Sequence, residues 1–455
     1  MKNFILFIGL LISMGSFAQQ KITLNQSRQM ALDYNKSLKS AKLKHYEAEA
    51  QRKEARTAYL PNIDGTASLT YLPSMDEISI PGFQLPVMDA GGNPTDHTVG
   101  FPGMDIGTEK LQYYNGQVAM QVPIYMGGQI RYANQMADKG VEMAGQAYQL
   151  QTDDVVYNTD NAYWHLVAFK EQLKVAYKYY EMLDSLELQM KDMYDLGLTP
   201  KSEQLIVTVQ KNEAQLNLMK AENAYRIMKM NLCQIIGIDL NSDVELVDTL
   251  LLEPKLMIME NGVQQALVNR NELKMLDGQV SISELQKKSS LSMYKPQLGA
   301  QLSYGYMEIP NLVDGQTLTQ ASAQLSIPIV HWREKKHKKE AAQLRVQQAQ
   351  LQLDETKDFV QLEVQQYMIR VNEAYEAILL ANKNKDEAIE SLDEVTASFD
   401  AGLNTTTDVL NAQASWLSAN ADLLNALAGY EVAKIAYLKG IGALKVMDTT
   451  DLNQL

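Results

Sequence analysis

The chain has 455 residues, a net charge of −14, and 46% hydrophobic against 21% charged residues; this excludes a disordered chain and argues against nucleic acid as the main partner. The single cysteine, Cys233, excludes a disulfide framework and any cysteine-based metal cluster. All twelve prolines lie at or before Pro328, and 329–401 also lack glycine, which excludes an all-β chain and predicts very long helices.

The first 18 residues read as a secretory signal peptide. Lys2 supplies the positive start, Phe4 to Ile12 form a short apolar run, and Ser16-Phe17-Ala18 carries small residues where a signal peptidase cuts. No cysteine follows the expected cut after Ala18, so a lipoprotein anchor is not expected. Beyond this leader no segment is apolar for long enough to span a bilayer as a helix, so a membrane-spanning form would have to be a closed β-barrel.

The mature chain is a duplication. Val122-Pro123-Ile124 recurs as Ile327-Pro328-Ile329, an offset of 205 that also carries Gly197-Leu198 to Gly402-Leu403, Tyr225 to Tyr430 and Ile236-Gly237 to Ile441-Gly442. Upstream the offset is 235, taking Ala31-Leu32 to Ala266-Leu267 and Pro61 to Pro296. The halves fall at 19–237 and 260–442, joined by a connector at 238–259 and followed by a tail at 443–455.

In the first half a helix over 24–57 leads into a strand at 61–72. Ile63, Gly65, Ala67, Leu69 and Tyr71 alternate there with Asn62, Asp64, Thr66, Ser68 and Thr70. Residues 73–111, with five prolines and six glycines, predict a long irregular loop. A second strand follows at 112–125, then a long helix at 129–196, a glycine turn and a return helix at 201–236. The second half repeats the plan: a helix at 260–290, strands at 296–307 and 319–330 around a shorter loop at 308–318, a long helix at 332–401 and a return helix at 406–441. Each long helix, close to 70 residues, would reach roughly 100 Å at about 1.5 Å per residue.

The strands fit either a small soluble sheet or the wall of a transmembrane barrel, whose tilted strands need about 9–11 residues. Tyrosines near the strand ends (Tyr71, Tyr113, Tyr125, Tyr306) and the leader favour the barrel. Four strands cannot close a barrel, and open edges cannot face lipid. On the barrel reading several copies therefore share one, and three copies give twelve strands. The helices carry narrow apolar stripes among Ala, Gln, Asn and Lys, which suits either a one-helix-thick wall or a soluble hairpin bundle.

With these residues in view, the chain resembles the TolC-type outer-membrane efflux proteins over nearly its whole mature length. The most specific parts are Pro123-Ile124-Tyr125-Met126-Gly127-Gly128-Gln129-Ile130-Arg131, the doubled turns at 194–198 and 399–403, and Asp408-Val409-Leu410. The resemblance implies a mixed fold, a membrane β-barrel continued by a long α-helical barrel. Each protomer would contribute four strands, two long helices and four shorter ones to a homotrimer with a twelve-strand barrel and a twelve-helix periplasmic tunnel. It also implies partners: outer-membrane lipid, an inner-membrane pump and a periplasmic adaptor that docks on the hairpin tips, here Gly197, Leu198, Thr199, Gly402 and Leu403. The implied role is an exit duct for efflux or type I secretion in the outer membrane of a Gram-negative bacterium, with no catalysis and no cofactor.

The family's gate lies just after the hairpin turns, where acidic side chains form rings. By position Asp408 falls on a ring residue and Glu203 is its counterpart in the first half. Asn411 stands where a second acidic residue is frequent, Asn404 where a basic latch can occur, and Phe399 where tyrosine is common. A gate held more by packing than by polar latches is expected. Three carboxylates around a narrow axis would focus negative potential and favour cations; Asp408 and Glu203 equally suit the first helical turn, where acids meet the macrodipole. Barrel-lumen candidates are the polar strand residues Asn62, Asp64, Thr66, Gln117, Gln301 and Gln324. The run His331 to Lys339 suits either lipid phosphates, with Trp332 at the interface, or a solvated helix start. The histidines show no metal spacing, and the 23 methionines suit seam filling. The competing reading is a secreted or periplasmic helical-hairpin scaffold without channel activity.

Overall fold

The computed structural model describes residues 20–72, 78–88, 91–92, 94–106, 111–310 and 313–444; the expected leader and most of the expected tail lie outside them. A strand, β1 (Gln20–Ile22), leads into helices α1 (Leu24–Tyr34) and α2 (Lys36–Thr57), followed by β2 (Asn62–Leu72). Four short strands come next, β3 (Ile78–Ile80), β4 (Phe83–Met88), β5 (Pro94–Phe101) and β6 (Met104–Ile106). Then follow β7 (Leu111–Met126), the long helix α3 (Gln129–Asp195) and its return, α4 (Lys201–Ile236). The second half runs from β8 (Val244–Leu246) through α5 (Gly262–Asn269), α6 (Asn271–Ser290), β9 (Gln297–Ile309), β10 (Val313–Ser326) and α7 (Glu334–Asp400) to α8 (Thr406–Gly440).

Four sequence expectations need correction. The helices expected at 24–57 and 260–290 each break in two, giving eight helices among the described residues instead of six. The breaks are repeat partners: Asn35 has φ −54°, ψ 122° and Arg270 has φ −60°, ψ 126°. Neither is proline or glycine; Asn35 leaves the helix because its Oδ1 accepts from Leu38 N at 3.0 Å, restarting the helix as a cap does. The described part of 73–111 is no irregular loop but antiparallel ribbons, β3 with β6 and β4 with β5, with Phe83 stacked on Phe101 at 4.9 Å. Its prolines are tolerated because a two-stranded ribbon is all edge. The loop at 308–318 shrinks because β9·β10 pairing persists to Ile309↔Val313, and β10 stops at Ser326 instead of reaching 330. Finally, the connector holds β8, paired in parallel with β1.

The described residues fall into two compact units. One draws on Ala50–Asp138 and Ile282–Val346. It holds an antiparallel four-stranded sheet in the order β10-β9-β7-β2, so that β7 and β9 join the two halves at its centre. β2 and β10 are unpaired at its edges. One face is apolar yet uncovered, with Ile63 68%, Leu69 64% and Tyr304 58% exposed. The strand-to-helix turns use different residues in the two halves for the same left-handed backbone. Gly127 and Gly128 take φ +65° and +95°, and their repeat partners Trp332 and Arg333 take φ +38° and +69°, a region that disfavours side chains.

The described residues of the other unit are 20–49, 139–281 and 347–444. Two of its cores are repeat counterparts. One gathers Ile22, Ala31, Leu38, Tyr163, Leu232 and the buried Cys233; the other gathers Ala266, Leu273, Val364, Leu427 and Tyr430. Ala31 and Ala266 are both fully buried at matching places. No helix of the described residues is long and apolar enough to cross a membrane.

Candidate functional site

Two places collect the candidate residues: the hairpin tips and the polar face of the sheet. At the tips the long helices end on glycines in the left-handed conformation, Gly197 at φ +72° and Gly402 at φ +76°. Leu198 N donates to Met193 O at 2.8 Å and Leu403 N to Ser398 O at 2.9 Å. These bonds cap the last carbonyls as a Schellman turn does. Leu198 and Leu403, 70% and 80% exposed, project from the two turns, while Thr199 is half-buried.

Behind the turns the ends of α3, α4, α7 and α8 share one core, with Leu183, Leu186, Met190, Val207, Val409, Leu410 and Trp416 buried. Phe399 packs against this core. Asn404 is half-buried, and its Nδ2 reaches Val395 O only at 3.4 Å. Asn411 is exposed. Asp408 closes a capping box at the start of α8: its Oδ2 accepts from Thr405 N at 2.8 Å and Thr405 Oγ1 at 2.7 Å, while Asp408 N donates to Thr405 Oγ1 at 3.3 Å. The Thr405 hydroxyl and backbone N–H hold the Asp408 carboxyl below the usual carboxylate range, so it is an exposed, ionised group at a helix start. Glu203 occupies the same turn of α4, whose N-cap is Pro200 with no side-chain cap.

The sequence reading missed the polar contacts that tie this region together. Lys211 on α4 lies 2.5 Å from Asp184 and 2.7 Å from Glu187 on α3, and Thr208 Oγ1 donates to Glu187 Oε1 at 2.8 Å. Bonds from Lys211 and Thr208 lower the Glu187 pKa, and bonds to Asp184 and Glu187 raise that of Lys211. Gln189 Nε2 donates to Asp400 Oδ1 at 3.0 Å, joining α3 to α7. Farther along α3, Arg28 grips Asp160 through Nε at 2.7 Å and Nη2 at 2.6 Å, with both side chains buried. Burial pushes the Asp160 carboxyl up against the pull of Arg28. Counting antiparallel from the Gly197 turn would have placed Lys211 opposite 184–187; nothing local flags Arg28.

On the sheet, pairing places the lumen candidates on one face. Asn62, Asp64 and Thr66 oppose Gln121, Ala119 and Gln117, Gln121 opposes Gln301, and Gln324 lies across from Gly299. In the run from His331 to Lys339, His331 Nδ1 lies 3.5 Å from Glu334 and its ring meets Tyr294 edge-on at 5.3 Å. Lys338 sits 5.8 Å above the same tyrosine, and Trp332 is 92% exposed. No group of three or more His, Cys, Asp or Glu among the described residues is arranged to hold a metal ion.

The family model described as "Outer membrane efflux protein" matches residues 28–238 and again 262–442. The chain belongs to the outer membrane efflux protein family. Its members are conduits, and the chain is accordingly a channel component and not an enzyme. Solved structures agree on the fold. The Campylobacter jejuni CmeC outer membrane channel superposes with a TM-score of 0.73 at 16% identity, over 95% of this chain and 88% of that one. The Vibrio cholerae outer membrane protein VceC gives 0.71 at 16% identity, over 92% and 96%. The open state of the Neisseria gonorrhoeae MtrE outer membrane channel gives 0.71 at 16%, over 93% and 89%. No curated protein matches the chain.

Proposed function

We propose that the chain is the outer-membrane exit duct of a tripartite efflux or type I secretion system. In this reading three copies close a twelve-strand barrel and continue as a twelve-helix tunnel in the periplasm. An adaptor docks on the Leu198 and Leu403 tips, and an inner-membrane pump supplies the cargo. The observation that carries the proposal is the sheet of a family member with an apolar face uncovered and both edges unpaired. Such a surface is an aggregation hazard in water, but in lipid, once the edges close, it is the required arrangement. The polar face with Asn62, Thr66, Gln117, Gln301 and Gln324 then lines the lumen. Asp408, held ionised by its own capping box, is suited to a ring of charge near the tunnel entrance, with Glu203 on the neighbouring turn.

Planar-bilayer recording of the purified protein tests this. Conducting, cation-preferring channels are expected, with preference and divalent-cation block reduced in Asp408→Ala. Unchanged single-channel behaviour in Asp408→Ala would remove the charged-ring role, and a soluble periplasmic monomer on cell fractionation would sink the duct itself.

A further inference from the structure

In an acidic chain, the sheet unit gathers positive charge at one end. On its helical side, outside the strands, this unit consists of residues 50–61, 127–138, 282–296 and 327–346. These carry thirteen Lys and Arg against five Asp and Glu, whereas the whole chain carries 41 against 55. The four stretches adjoin one another. Asn134 Nδ2 donates to Ala55 O at 2.9 Å, Lys295 Nζ lies 5.8 Å from the centre of the Tyr132 ring, and Lys338 Nζ lies 2.9 Å from Met293 Sδ. The halves do not share the charge equally. Residues 332–346 hold six of the cations, and their repeat counterparts at 127–141 hold two, Arg131 and Lys139.

Arg333, Lys335, Lys336 and Lys339 are exposed. Among the described residues none of the four makes an ion pair; the neighbouring Glu334 and Glu340 lie 3.5 and 3.9 Å from His331 and His337 instead. Lys335 and Lys336 stand four and three residues before Lys339 on α7, spacings at which like charges repel. An anion from outside would relieve that repulsion. The chain leading into the cluster is apolar and uncovered. β10 ends at Ser326, and Ile329 and Val330 beyond it are 88% and 63% exposed. Trp332 follows, 92% exposed and held at φ +38° where the first half has Gly127. Aliphatic residues, a tryptophan and then cations is the order in which a bilayer presents hydrocarbon, interface and headgroup phosphates. We infer that residues 329–339 form a site for an anionic phospholipid of the leaflet facing the periplasm. Ile329 and Val330 lie against the acyl chains, Trp332 sits at the interface, and Arg333, Lys335, Lys336 and Lys339 surround the phosphate. Arg333 offers paired planar donors to the phosphate oxygens and the lysines offer point charges. A zwitterionic headgroup brings its own ammonium to these unpaired cations; phosphatidylglycerol does not. The first half, with two glycines and Arg131 at the equivalent turn, lacks the site, so each copy carries one. This rests on the outer-membrane barrel proposed above and gives it a lipid preference.

Quenching of tryptophan fluorescence by brominated lipid tests the site in the full protein. The protein is reconstituted into phosphatidylethanolamine–phosphatidylglycerol vesicles with one lipid brominated at a time, and subtracting Trp332→Phe in each background isolates the Trp332 signal. At equal mole fraction, brominated phosphatidylglycerol should quench Trp332 about twofold more than brominated phosphatidylethanolamine. The preference should vanish in Arg333→Gln/Lys335→Gln/Lys336→Gln/Lys339→Gln and in about 0.5 M salt. It should persist in Lys191→Gln/Lys201→Gln/Lys220→Gln/Lys383→Gln, which removes as much charge from exposed helix positions elsewhere. Equal quenching by the two lipids in the parent, or a preference that survives the first set of substitutions, overturns the site. Loss of the preference to millimolar inorganic phosphate at constant ionic strength marks a site for a free anion and overturns the lipid assignment. Trp332 quenched by neither lipid, in protein that floats with the vesicles, puts the segment in water and overturns the site alone. Protein that fails to float with the vesicles overturns the barrel reading itself.

Discussion

The two helical hairpins, α3/α4 and α7/α8, follow one backbone plan with opposite chemistry. In the first, Lys211 ties α4 to Asp184 and Glu187 on α3. The positions one repeat later are Trp416, Ile389 and Leu392, and Trp416 is buried in the shared core with Lys178 5.3 Å from its ring. The return helices also begin differently, α4 at Pro200 with no side-chain cap and α8 with the Thr405–Asp408 capping box. Deeper in the unit, the first half buries the Arg28–Asp160 pair, and the matching places hold Val263, packed on the second core, and an exposed Gln365. Both hairpins share the apolar core at the tip, so the difference lies at matched seam positions, which carry an ion pair in one half and an apolar side chain in the other.

The sharpest way to break the comparison is at the buried pair. Asp160→Ala leaves Arg28 buried without its counter-charge and should cost about 3–5 kcal/mol. Gln365→Ala should stay within about 0.5 kcal/mol, and Arg28→Met/Asp160→Leu should recover most of the loss; denaturant titration in detergent measures all three. Next comes the tip, where Trp416→Ala should cost about 3 kcal/mol through the cavity it opens. Its repeat partner Lys211→Met should cost about 1 kcal/mol or less, since the ion pair is partly exposed, and that smaller effect should shrink further in high salt. The two should also differ in pH response. Glu187 is lowered and Lys211 raised in the folded state. The Lys211 contribution is thus fully present between the unfolded values, about pH 4.3 to 10.4. It is lost as pH falls through the folded Glu187 value or rises through that of Lys211. Thermal scans across pH should show both losses in the parent; in Lys211→Met the alkaline loss should disappear and the acid loss should shrink to the part that the Thr208 bond to Glu187 supplies. Smallest is the cap: Thr405→Ala should lower stability by about 1 kcal/mol, while Pro200→Ala, which removes no side-chain cap, should not do so.

Much of this plan is legible in the sequence because it depends on short-range rules. Proline-free runs mark α3 and α7, and Gly197 and Gly402 mark where they stop. Period-two alternation marks β2, β7 and β9, and the repeat doubles every such signal. What stays hidden has non-local causes. The breaks at Asn35 and Arg270 carry no breaker residue, and Arg270 is held by Glu272 and Glu363, the latter 93 positions away. β1 becomes a strand only because β8 lies beside it. β4 and β5 contain Pro86 and Pro94 and pass as loop by composition. At the candidate site, Asp408 and Phe399 could be placed from the turns, whereas the Lys211 contacts require the register between two helices.

The strand-to-helix turns carry one more consequence. Gly127-Gly128 bends into α3 with a backbone that glycine adopts freely, and Trp332-Arg333 makes the same bend into α7 against the preference of both residues, at about 1–2 kcal/mol each. A bend reached from two sequences of opposite leaning is dictated by its surroundings. The duplicated chain thus contains an internal comparison that a single-copy protein lacks: the half that complies shows which shape is required, and the half that resists shows how strongly the rest of the molecule enforces it.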